Sequence, residues 1–296
     1  MTVGSSPSGS DGSDQVIPFD RLPRGFAERL DRPDEPADPR PAATAVVLRE
    51  EEGDRGVEVL LLRRVRSAGF VPGAYVFPGG RVDPEDGAPE VVDRLTDRDA
   101  ATWARRLGLE PSEEGRPGAA YLVAALRETF EETGILVARN GRGGFAPSAD
   151  RDPGVAELRS RLLGGEIGFA RVLEALDVTL DDGRAEYIAH WITPEAEPRR
   201  YDTRFFAVRV PRGVAVTPWE KEITDHRWLT PARALELREA EELPMVFPTI
   251  RTLEDLTPFS RARDVLQYFG SMEIPTILPR LVRTPTGVGI EVPGDP

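Results

Sequence analysis

The stretch Arg127-Glu128-Thr129-Phe130-Glu131-Glu132 places four ionised side chains within six residues, inside a segment that otherwise reads as a buried helix. On a helix advancing about 100° per residue, Glu128, Glu131 and Glu132 fall within roughly 100° of one another. Leu122, Leu126 and Thr129 take the other side, so one face packs and one carries three carboxylates. Like charges at these spacings repel, and Arg127 is expected to neutralise only one of them. A divalent hard cation would supply the missing charge, because Mg²⁺ and Mn²⁺ prefer oxygen ligands. The plain alternative is a solvated Glu/Arg surface face.

The chain has 296 residues, 40% hydrophobic and 30% charged, enough for a sizeable core. It has no cysteine and only two histidines, His190 and His226. Disulfide scaffolds, thiolate metal sites and cysteine nucleophiles are therefore excluded. Both histidines sit in strand-like patterns and read as structural. The formal net charge of −13 repels duplex nucleic acid and anionic membrane. No run of about 20 apolar residues is present, and residues 1–16 read as a disordered Gly/Ser/Asp tail without a secretory core. The expected location is cytoplasmic. The expected partner is a nucleotide-derived small molecule, with no nucleic acid, no membrane and at most a homodimer.

The elements that must carry the acidic helix follow from periodicity and breakers. "AATAVVLRE" and "VEVLLLRRV" read as strands joined by "EEGDRG". "AYVF" reads as a short strand delivering the Gly79-Gly80 turn. "DRDAATWARRLG" starts with an Asp cap and stops at glycine. Residues 119–133 form the acidic helix, closed by Gly134, and "ILVA" (135–138) is expected as a strand. Residues 153–177 read as two helices split at "GGEIG". "YIAHWITP", "DTRFFAVRV" and "DHRWLTP" read as strands, residues 231–241 and 249–269 as helices, and the chain from Pro275 as proline-rich and extended. This order predicts an α/β fold, a layered sandwich on a mixed central sheet.

With "FPGG" (77–80) and "RETFEETGI" (127–135) in view, the sequence resembles the Nudix hydrolases. Their signature is G-x5-E-x7-R-E-U-x-E-E-x-G-U, with U aliphatic. Gly80 opens it, and Arg127, Glu128, Glu131, Glu132, Gly134 and Ile135 match it. The first glutamate falls on Asp86, with Glu85 beside it as a substitute, and a U position is Thr129. Forty residues separate Asp86 from Arg127 where the signature has seven. An insertion here resembles the branch related to peroxisomal acyl-coenzyme A diphosphatases, as do "RRYDTRFFAV" and "ITDHRWLTPARAL". The resemblance implies an α/β/α Nudix sandwich over residues 17–275, with a helical insertion at about 87–118, C-terminal helices and an extended segment over 276–296. The insertion, with Trp103 and Leu107 for packing, is expected to be an ordered cap beside the cleft.

The resemblance further implies hydrolysis of a diphosphate with Mg²⁺ or Mn²⁺. Glu128, Glu131 and Glu132 would ligate the ion, joined by the Gly80 carbonyl. Arg127 would orient the glutamates, and either Glu128 or Glu222 would activate water. Coenzyme A or an acyl ester is the first substrate expectation. ADP-ribose, a dinucleotide or a nucleotide sugar is the alternative, and a non-catalytic ligand sensor is another. Arg63, Arg64 and Arg66 are candidates to neutralise a substrate phosphate; the competing reading is an exposed strand end.

Overall fold

The computed structural model describes residues 16–18, 30, 36–50, 56–67, 71–110 and 117–293. The expected tail therefore lies outside the described residues except for Val16, as does most of the turn at 51–56. The chain divides into two compact units. One comprises residues 41–189 and 203–274; the other comprises 1–40, 190–202 and 275–296.

The larger unit is built on β2 (Arg40–Glu50), β3 (Val57–Arg64), β8 (Ala185–Ile192), β9 (Tyr201–Arg209) and β10 (Ile223–Leu229), in the order β10-β3-β2-β9-β8. β2, β3 and β10 pair antiparallel. Strand alternation splits their side chains between two faces. Ala43, Ala45, Val47, Leu60 and Leu62 join the main core. Val46, Leu48, Val59 and Leu61 point the other way and are equally buried. Both faces are thus covered, as a layered α/β sandwich requires.

Against the first face lies the acidic helix, α3 (Pro117–Thr133). It ends where expected: Gly134 takes φ +74°, and its N–H donates to Phe130 O at 2.9 Å. On the second side, α6 (Pro231–Glu239) packs on β3 and on α7 (Phe247–Leu256). The helical stretch expected over 249–269 is two helices, α7 and α8 (Ala262–Gly270), because Pro258 cannot donate into a continuing helix. The strand expected at 135–138 starts only at Ala138. It forms β6 (Ala138–Asn140), paired with β7 (Val178–Leu180). Gly134 O and Val137 O are taken by Ala149 N and Asp181 N, two separate segments, so no ladder forms there.

The insertion is ordered where described. It holds α1 (Pro89–Val92) and α2 (Ala100–Arg106), the latter capped by Asp99 accepting from Thr102 N at 2.7 Å. α2 crosses α3 closely enough that a Cβ on Gly118 would stand 2.3 Å from the Ala104 backbone. Trp103 is fully buried, edge-on to Phe206 at 5.9 Å. Asp182, also fully buried, accepts from the N–H groups of Thr96, Asp97 and Arg98 at 2.8–2.9 Å and from Trp103 Nε1 at 3.2 Å. The insertion is part of the core rather than a cover laid over it.

In the smaller unit, β12 (Arg280–Arg283) and β13 (Gly287–Glu291) form an antiparallel hairpin, and β1 (Ile17–Pro18) pairs with β13. β11 (Thr276–Ile277) runs parallel to the end of β8 and makes the sheet mixed. The extended C-terminal segment is therefore organised into strands. His190 bridges Asp202 at 2.6 Å and Thr276 at 2.9 Å, consistent with a structural histidine.

Candidate active site

α3 delivers its carboxylates beneath the Gly79-Gly80 turn. β4 (Tyr75–Val76) pairs with β3, and β5 (Gly79–Arg81) pairs with the first half of β2. A side chain at Gly79 would run into backbone, and one at Gly80 would have to displace the Glu128 carboxylate. A Cβ on Gly79 would stand 2.5 Å from Ala43 O, and one on Gly80 would stand 2.3 Å from Glu128 Oε1. Glycine lets the backbone approach the acidic helix, and the Gly79 N–H donates to Glu132 Oε2 at 3.2 Å.

Arg127 does more than the single neutralisation expected of it. Its Nε and Nη2 donate to the two oxygens of Asp86 at 2.8 and 2.9 Å. Its Nη1 reaches Glu128 at 2.9 Å and Glu131 at 3.2 Å, and Nη2 also donates to Arg81 O at 3.0 Å. Five donors on one planar fork make this possible. Asp86 is only 2% exposed, whereas Glu85 is exposed. The shorter acid therefore takes the buried place opposite Arg127, and the neighbouring glutamate does not substitute for it.

The remaining charges are poorly compensated. Burial pushes the Glu128 carboxyl up to about 7, against the pull of Arg127 and with the help of Glu131. Burial holds the Glu132 carboxyl well above its usual range; the charges of Glu128 and Glu222 add to this, while Arg64 and the Gly79 N–H oppose it. Glu131 is raised as well, again chiefly by burial. Among the described residues no three acidic or histidine side chains converge on one point. Glu128 and Glu131 are turned onto Arg127, and Glu132 onto the turn. The donor set nonetheless fits a divalent hard cation, being a group of carboxylate oxygens with more negative charge than Arg127 can match. A cation and Arg127 would share the same oxygens.

The three candidate arginines do not form one cluster. Arg64 follows Leu60 and Leu62 on the face toward α3 and is near enough to influence Glu132. Among the described residues its buried Nε has no hydrogen-bond partner. Arg63 lies on the opposite face, with Nε donating to Gly73 O at 3.3 Å and its guanidinium 5.7 Å from the Tyr75 ring. Arg66 is exposed in the turn beyond β3. Glu222 lies on the loop beside the end of α3. Trp219 N donates to Glu132 O, and Val65 N to Glu222 O. The sequence reading missed Arg159, whose Nε and Nη2 donate to Glu131 O at 3.1 and 2.7 Å and hold the last turn of α3. Its place in the helix "PGVAELRSRLL" carries no signal of that contact.

A test follows from these ionisations. A carboxylate whose folded pKa is raised contributes stability that is present below the unfolded pKa and lost as pH rises through the folded value. For Glu128, moving from 4.5 to about 7, the full loss is of order 3 kcal/mol. Glu132 acts in the same direction. Metal-free protein should therefore melt lower at pH 8 than at pH 5.5, and a divalent cation should restore more stability at pH 8. Thermal melts in EDTA and in Mg²⁺ check this. Equal melting temperatures at both pH values, indifferent to cation, would contradict the assignment.

A sandwich on a mixed sheet, a glycine turn set against the carboxylates of the acidic helix and an acidic helix richer in carboxylates than in cations together define a Nudix hydrolase, a class that works with divalent metal ions. The sequence model of the NUDT19 Nudix domain matches residues 40–256, and the chain belongs to that family. The acyl-coenzyme A diphosphatase NUDT19 of Homo sapiens is 27% identical over 272 residues, spanning 81% of this chain and 72% of that protein. Its namesake in Gallus gallus is 30% identical over 247 residues, spanning 71% and 64%. Among solved structures, a NUDIX hydrolase from Alicyclobacillus acidocaldarius has 30% identity and a TM-score of 0.64, covering 78% of this chain and 96% of its own. Among the described residues no helix is long and apolar enough to cross a membrane.

Proposed function

We propose that the protein hydrolyses the diphosphate of coenzyme A or its acyl esters, with Mg²⁺ as the working ion. Water adds across one P–O bond of the anhydride, giving 3′,5′-ADP and (acyl-)phosphopantetheine. The observation that carries the hydrolytic reading is the Gly80–Glu128 approach beside the Arg127-linked carboxylates. The coenzyme A reading is supported by the relatives named acyl-coenzyme A diphosphatase.

A cation held by Glu128, Glu131, Glu132 and the Gly80 carbonyl would supply positive charge for the phosphoryl oxygens and acidity for the attacking water. The protein's own groups do the positioning. Arg127 holds Glu128 and Glu131 in register, and the Gly79 N–H holds Glu132. Of the two candidate bases, Glu222 is the proposed proton acceptor, because Glu128 is tied to Arg127 while Glu222, half-buried on its loop, lies near enough for its charge to act on Glu132. Arg64 is proposed to meet the diphosphate, and Arg66 the 3′-phosphate.

Turnover of coenzyme A, dephospho-coenzyme A, ADP-ribose and a dinucleotide distinguishes the readings. Coenzyme A should exceed dephospho-coenzyme A in kcat/KM by at least about tenfold, the worth of one charge-assisted contact. Arg66→Ala should collapse that ratio, and Arg63→Ala, altered on the opposite face, should leave it in place. Equal rates on the two substrates, or a preference for ADP-ribose, would remove the coenzyme A reading and leave the Nudix assignment intact.

A further inference from the structure

A cleft of about 570 Å³ opens beside Arg127 and Glu131, within the size range of about 300–1,000 Å³ typical of small-molecule sites. One wall is the start of the insertion, with Ala88 and Val91. The facing wall is the turn between α4 (Pro153–Leu163) and α5 (Phe169–Ala175), with Leu162, Ile167 and Phe169. The cleft thus has an apolar patch on each of two sides and one end at the acidic helix.

Its charge is one-sided. Asp83, Glu85 and Glu90 line it together with Asp86 and Glu131. Arg127 is the only cation among the described lining residues, and it is already shared by Asp86, Glu128 and Glu131. Glu85 reaches across toward the facing wall: a Cβ on Gly168 would stand 3.0 Å from its Oε2. A phosphorylated nucleoside entering here would meet uncompensated like charge, whereas an uncharged, elongated group would not.

We infer that this cleft is the subsite for the uncharged arm of the substrate, the pantetheine chain and the acyl group it carries. The nucleotide half is placed outside the cleft, toward Arg64, which acts on Glu132 and is not among the described lining residues. The inference rests on the coenzyme A reading and adds to it an orientation and a selectivity. An acyl group ending in a carboxylate is disfavoured, because it must sit among Glu85, Glu90 and Asp83. The insertion therefore contributes to substrate choice through α1, while α2 serves the core.

The test compares butyryl- and succinyl-coenzyme A, whose acyl chains are of equal carbon count and differ by the terminal carboxylate. Wild-type protein should favour the butyryl ester in kcat/KM by at least about tenfold. Glu85→Lys/Glu90→Lys, two exposed positions, should reduce that preference at least about fivefold. Ala170→Trp, which fills the cleft from α5, should lower kcat/KM for octanoyl-coenzyme A relative to ADP-ribose by at least about tenfold. If wild type cleaves both short esters equally, or if the charge-reversed variant keeps the full preference, the subsite assignment is overturned while the coenzyme A reading stands. If wild type cleaves ADP-ribose but no coenzyme A ester, the parent reading falls and takes the subsite with it.

Discussion

Replacing Glu132 with glutamine is expected to lower turnover at least about 100-fold, near 3 kcal/mol of barrier, and at the same time to raise the melting temperature of metal-free protein at pH 8. The two effects have one cause. Glu132 is 3% exposed, and burial holds its carboxyl well above the usual range, so the folded protein accommodates the charge of its ionised form poorly, the more so as pH rises. The amide removes that charge but keeps an oxygen to accept from Gly79 N–H. It also removes a cation ligand, so the stabilisation by Mg²⁺ should shrink together with activity. Glu222→Gln is the contrast: turnover should fall, yet the cation-dependent rise in melting temperature should persist. Full activity in Glu132→Gln would end the metal role, and a lost cation response in Glu222→Gln would move Glu222 from base to ligand.

The second large effect belongs to Arg127. Arg127→Met leaves Asp86, at 2% exposure, without its bidentate partner, and frees Glu128 and Glu131 to repel each other. Breaking a buried pair from one side costs about 3–5 kcal/mol. Urea denaturation should show that loss as a lower midpoint with little change in slope. Arg127→Lys should recover only part of it, because a single ammonium cannot reproduce the fork. Arg127→Met combined with Asp86→Leu should be less destabilised than Arg127→Met alone, since the stranded charge is gone. A loss below about 1 kcal/mol in Arg127→Met would mean that the network is incidental to the fold.

Much of this was legible from residues alone. The acidic helix, its Gly134 stop and the strands on either side of residues 51–56 carry local signals of period and cap. The family resemblance rested on residues that fold into one place, since Gly80 and Glu128, 48 positions apart in sequence, meet in space. What was not legible is what depends on direction and distance. Arg63 and Arg64 were grouped by adjacency, although a strand sends neighbours to opposite faces; the information was present in the period of two. Arg127 was credited with one partner because helix spacing shows only the carboxylates on its own helix, not Asp86 arriving from the far end of an insertion. Arg159 and Asp182 act through contacts that no local pattern announces.

The bonds from Asp182 to Thr96, Asp97, Arg98 and Trp103 also bear on the order of events as the chain folds. They span 79 to 86 positions, and the acidic helix lies between their ends. A chain emerging N-terminus first exposes Trp103 and the whole of the signature helix well before residue 182 is made. During that interval the insertion has its helix and its tryptophan but lacks the carboxylate that fixes them. Docking of the insertion is therefore a late, high-contact-order step, and slow closure of so long a loop leaves an apolar surface waiting on the ribosome. Interrupting the signature with forty residues has a biosynthetic consequence as well as a catalytic one: it makes assembly of the acidic helix's surroundings wait for a distant aspartate.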